Sequence, residues 1–214
     1  EKLGEKNFMM LYDAAKYSST GTAHGRARKY ADAALGKVDK EALKSEISAK
    51  RNKDLLMSIG LLPLPKTLKA REQELLDRYQ FIQKYKKESR QFGAQRRASE
   101  GRAAEIALCN LSVNAGFTDV TRLTLRMEAK LAEQSEKCFE WQSVGGLELR
   151  VQVDEEGKSA LLCRKDGKLL KYVPEKYKND KTVLHYQAVV KNLKEQYSRA
   201  RQMMEQAMED RTAF

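Results

Sequence analysis

Residues 141–174, WQSVGGLELRVQVDEEGKSALLCRKDGKLLKYVP, decide the fold, because they are the part of the chain that reads as β-structure. Leu147, Leu149, Val151 and Val153 alternate with Glu148, Arg150 and Gln152, the two-residue period of a strand with one buried face. Asp154 to Gly157 turns the chain, and Ser159 to Arg164 reads as a second strand. Asp166-Gly167 is a hairpin dipeptide, and Leu169 to Val173 reads as a third strand. The expected product is a three-stranded antiparallel meander. Such a sheet is marginal alone, so its Leu147–Val153 face should be buried against helices 104–133 and 182–211. Trp141, the sole tryptophan, stands where helix gives way to strand and is expected to anchor the sheet on the helices.

On both sides of this segment the pattern is helical. Residues 3–19 and 22–35 read as two short helices with Gly21 between them, and Ser18, Ser19 and Thr20 as a helix end. Asp39 is a good N-cap for a helix running to Ile59, which Gly60 and Leu62-Pro63-Leu64-Pro65 stop. Helices from about 67 to 87 and from 93 to 115 follow, the second ending on Gly116 as C-cap, and Thr118 or Asp119 caps the next. From Val183 to Ala207, apolar residues recur at alternating three and four positions, the stripe of a long helix lying along a partner. The fold class is therefore mainly α with a small β part: a helical array, the meander and a long C-terminal helix. The proline pair suggests a division into 1–65, readable as the end of a helical repeat region, and 66–214, a helical domain with the meander inserted.

The composition fits a soluble, helix-rich protein: 41% of the 214 residues are apolar and 33% charged, with three prolines. No apolar run is long enough to span a membrane and no signal peptide opens the chain, so a cytoplasmic protein without membrane contact is expected. Cys109, Cys138 and Cys163 are odd in number and widely spaced, which reads as reduced thiols, Cys109 within a core. The chain opens on Glu1 and stops within a helical pattern at Phe214, as expected for a piece of a longer protein.

More than half of the net charge of +11 falls in residues 66–103. Its densest part, the basic 84–102 stretch, carries Lys86, Arg90, Arg96 and Arg97, whose side chains could pair with phosphate oxygens while Tyr85 or Phe92 stacks on bases. A solvated face, or pairing with the acidic helix 128–140, accounts for the same residues. His24 and His185 have no Cys, Asp or Glu at ligand spacing, so no metal or cofactor is expected. Glu128, Glu133 and Glu136 share a helix, and nothing in the sequence encloses them as an acid–base pair. No catalytic residues emerge.

One resemblance is visible. The run QFGAQRRASEGRAAEIALCNLSVNAGFTDVTRLTLRMEAKLA, then GGLELRVQVDEEGKSALLCRKDGKLLKYVPE and a last helix ending in EQAMEDR, resembles a domain of unknown function from very large bacterial proteins. Those proteins are often described as molybdate-metabolism regulators, and many carry a WGR domain. The resemblance covers about residues 66–214 and brings no catalytic residues. It implies an interaction or scaffold module, with other regions of the parent protein or protein partners as its contacts. Nucleic-acid or phosphate binding through the basic stretch is the other reading.

Overall fold

The computed structural model describes residues 3–17 and 21–209; the helix end expected at Ser18–Thr20 and the end of the last helix expected at 210–211 lie outside them. The described residues form eight α-helices and one four-stranded antiparallel sheet. They divide into two compact units, Glu1–Thr124 and Leu125–Phe214.

The first unit is helical. It contains α1 (Glu5–Lys16), α2 (Gly21–Ala34), α3 (Lys40–Lys50), α4 (Lys53–Ile59), α5 (Leu68–Glu88), α6 (Ala94–Ala115) and the start of α7 (Val120–Gln134). Asp39 caps α3 as expected, its carboxylate accepting from the Ala42 N–H at 2.8 Å. The single helix expected from Asp39 to Ile59 is two. Arg51 adopts left-handed backbone angles (φ 49°), and Asn52 then caps α4 by accepting from the Asp54 and Leu55 N–H groups. A left-handed arginine costs about 1–2 kcal/mol, and the contacts of its guanidinium, described below, offset that.

Beyond α4 the Leu62–Pro65 turn exposes carbonyls that no helix satisfies. The buried Arg78 of α5 donates to the Leu62 and Pro63 oxygens at 2.6 and 2.9 Å, and Asn114 of α6 donates to those of Gly60 and Leu62. Helices α4 and α5 both pack on α6, whose inner face buries Ala103, Ala104, Ala107, Leu108 and Leu111. The small residues allow close approach. A Cβ added to Gly60 would lie 2.5 Å from the Ala107 carbonyl oxygen.

The second unit holds the sheet and α8 (Lys181–Glu209). Its strands run in the order β1 (Gln142–Val144), β2 (Leu147–Val153), β3 (Ser159–Lys165) and β4 (Lys168–Leu170). The sheet has one strand more than the sequence reading gave. Gly145 and Gly146, both at positive φ, close a tight hairpin between Val144 and Leu147, and this brings 142–144 into register with 147–149. Asp166 and Gly167 make the equivalent turn between β3 and β4, as expected. Leu147, Leu149, Val151 and Cys163 form the inner face, packed with Cys138 and with Val183, Tyr186 and Val189 of α8. Val153, expected on that face, is exposed. The α8 stripe is buried at Val183 and Tyr186, against the sheet, and again at Ala207, while Tyr197 and Met204 are exposed. Trp141 lies under two guanidinium groups, 4.2 Å from that of Arg164 and 5.1 Å from that of Arg150.

Candidate functional site

The basic stretch spans the end of α5, a 3-10 turn at Ser89–Gln91 and the first two turns of α6. It is not one continuous helix. Phe92 is extended and Gly93 starts α6 without a side-chain cap, so the cations leave in two directions.

One group converges on Glu100, which is only 2% exposed. Arg51 reaches it through Nε and Nη2, the latter at 2.7 Å, and Arg96 through Nε at 2.9 Å. Arg51 also donates to Glu88 and to the Tyr85 carbonyl, while the Tyr85 hydroxyl donates to the Arg51 carbonyl. The aromatic rings expected to stack on bases already hold arginines: Arg51 over Tyr85 at 4.0 Å and Arg96 over Phe92 at 3.7 Å. Burial alone would raise the Glu100 carboxyl, but hydrogen bonds from Arg51 and Arg96 outweigh it and hold the group below the usual carboxylate range. Burial, then the nearby Glu100 charge, pushes the Tyr85 phenol up. The cluster locks the α3–α4 break onto α5 and α6. A cleft of about 400 Å³ beside it is lined by Lys53, Gln95, Arg96 and Ser99.

The other group faces outward. Lys86 pairs with Glu105 at 3.1 Å. Beside Glu105, Arg97 and Arg102 line an open groove of about 710 Å³ along α6, with Ala98, Gly101, Ile106 and Cys109. Val113, one turn beyond Cys109, is 72% exposed. Arg90, Arg97 and Arg102 are exposed and form no side-chain hydrogen bond or ion pair among the described residues. The structure thus places Lys86 on Glu105, Arg97 in the groove that Glu105 also lines, and Arg96 on Glu100. Within the stretch, Lys84 pairs with Glu88, Arg96 with Glu100 and Lys86 with Glu105. Basic residues in a first helical turn oppose the helix dipole, an arrangement that local stability does not favour.

Three features escaped the sequence reading. Cys109 is exposed, not packed in a core, because the inner face of α6 is set by Ala104, Ala107, Leu108 and Leu111. Ile106, Cys109 and Val113 recur at three and four residues, a signal of a second apolar face that was present in the sequence. His185 lies with Nε2 3.8 Å from the Sγ of Cys138, although the two are 47 residues apart in sequence. Burial pushes that thiol up, away from the thiolate form. Glu128 is held by Arg199 at 2.6 Å and Glu133 by Lys130, so both carboxylates are structural partners. No group of three His, Cys, Asp or Glu residues among those described could hold a metal ion, and no described helix is long and apolar enough to cross a membrane.

No curated protein and no solved structure matches this chain. A family model does match, over residues 1–127, which takes in the whole of the Arg51–Glu100 cluster and the α6 groove. The chain belongs to that family, a family of unknown function designated DUF5724.

Proposed function

We propose that this chain is a non-enzymatic interaction module and that the outer face of α6 is its contact surface. The observation that carries this reading is the exposure of Ile106, Cys109 and Val113 on a helix whose other face is fully packed. Aliphatic groups cost free energy in water, and a row of them flanked by unpaired arginines has the composition of a protein-binding surface. The helix is rigidly supported by α4 and α5, so the surface needs little ordering when a partner arrives. The resemblance of residues 66–214 to a domain of very large bacterial proteins supports other regions of such a parent protein as contacts.

Nucleic-acid or phosphate binding through Lys86, Arg90, Arg96 and Arg97 is the second reading, favoured by the uncapped α6 N-terminus and the unpaired Arg90 and Arg97. Against it stand the internal engagement of Lys86 and Arg96 and the prior occupation of both aromatic rings. Titration of labelled RNA and DNA across salt concentrations separates the two. The protein reading predicts only weak, non-specific binding, of about 10⁻⁵ M at physiological salt. Submicromolar binding that falls steeply with salt, and disappears on changing Arg90, Arg97 and Arg102 to Ala, would overturn it.

A further inference from the structure

We infer that the groove along α6 receives an amphipathic helix with acidic flanks from a protein partner; this rests on the reading of that face as a protein-contact surface. Length and floor come first. From Ala94 to Val113 the face runs about 28 Å at the rise of an α-helix, room for some five turns of a second helix. At its N-terminal end the floor is Ala94, Ala98 and Gly101, and a Cβ at Gly101 would meet nothing within 4 Å. A partner backbone can therefore come close there. Further along, Ile106, Cys109 and Val113 repeat at the three- and four-residue spacing of a helix–helix seam. The residues that line the groove all belong to α6, so a helix, not an extended strand, is the element they match.

Charge then selects the partner. Arg97 and Arg102 flank the apolar row without internal partners. The one carboxylate among the groove-lining residues, Glu105, is neutralised by Lys86. An incoming helix with Asp or Glu beside its apolar stripe finds two free guanidinium groups, while a basic helix meets like charge. Nucleic acid fits less well, because the centre of the surface is aliphatic and offers no ring on which a base could stack.

Cys109 supplies the readout. Cys138 and Cys163 are buried, so reaction of the native chain with a thiol reagent reports on the groove. The probes are a three-heptad synthetic helix with Leu at positions a and d and Glu at e and g, the same helix with Lys at e and g, and a single-stranded RNA. At saturation the acidic helix is expected to slow modification of Cys109 about tenfold or more, and the Lys helix and RNA to leave it unchanged. With Arg97→Glu and Arg102→Glu, both exposed positions whose change should leave helicity and the unfolding midpoint intact, the preference should reverse. Equal protection by both helices would overturn the acidic assignment and leave the interaction reading standing. Protection by RNA alone would sink both. Protection by none of the probes would overturn the inference by itself, since the interaction reading is tested separately by the nucleic-acid titration and by cross-linking from residue 106.

Discussion

Glu100 shows how one side chain can hold several helices. It sits between Arg51 and Arg96, and Arg51 in turn ties to Glu88 and Tyr85. Replacing it with Gln leaves Arg51, nearly buried, with only the more exposed Glu88 as counter-charge, a change that costs about 2 kcal/mol. Chemical unfolding of Glu100→Gln at pH 7 should show this as a lower midpoint with an unchanged slope. The effect has a definite pH sign. The Glu100 carboxyl is held below its unfolded value, so its contribution is complete above the unfolded range near pH 4 and is lost as pH falls through the folded value. The difference between wild type and Glu100→Gln should therefore shrink in acid. Arg96, Tyr85 and Phe92 stand out in the sequence, but their convergence with Arg51 on Glu100 was not legible, because Arg51 and Glu100 are far apart in sequence and nothing local marks Arg51 as left-handed.

Helix α6 is defined by its two faces, one packed and one open. On the packed side, Gly60 touches it so closely that a methyl group would lie 2.5 Å from the Ala107 oxygen and 2.7 Å from the Leu111 nitrogen. Both contacts are backbone, which cannot swing aside. Gly60→Ala should destabilise the chain by about 2 kcal/mol or more, against the gain usual for Gly→Ala, and urea unfolding followed by circular dichroism would measure it. In the second unit, Gly157→Ala should also be costly. Its φ of +76° is strained for a side chain, and the new Cβ would fall 2.2 Å from the Tyr197 ring. Elements with a strong period or a side-chain cap were readable: β2, the Asp166-Gly167 turn, the Asp39 cap and the Gly116 C-cap all appear where residues alone place them. Strand β1 was missed because three residues carry no period, although Gly145-Gly146 was a fair hairpin signal.

For the chain as a whole, the net charge of +11 overstates what is available to a ligand, since Lys84, Lys86 and Arg96 of the basic stretch are already paired with carboxylates of the same unit. A second network repeats the theme: Lys40 and Lys44 on α3 bind Glu74 and Asp77 on α5, and Arg78 also holds Glu74. Burial raises the Glu74 and Asp77 carboxyls, but the bonds from Lys40, Arg78 and Lys44 outweigh it, and both groups end below their ordinary values. With Glu100 they make the first unit lose stability as pH drops below about 4, a loss visible in the thermal midpoint between pH 7 and pH 3. Sequence composition located the charge but not its partners, which come from the packing of α3, α5 and α6. The cations left over, with the aliphatic row beside them, make the outer face of α6 the surface through which the chain should act. A photo-cross-linking residue placed at Ile106 in cells that make the protein tests this most directly. Cross-links to protein that are lost when Arg97 and Arg102 are reversed to Glu are the result predicted; cross-links to nucleic acid, or none at all, would contradict it.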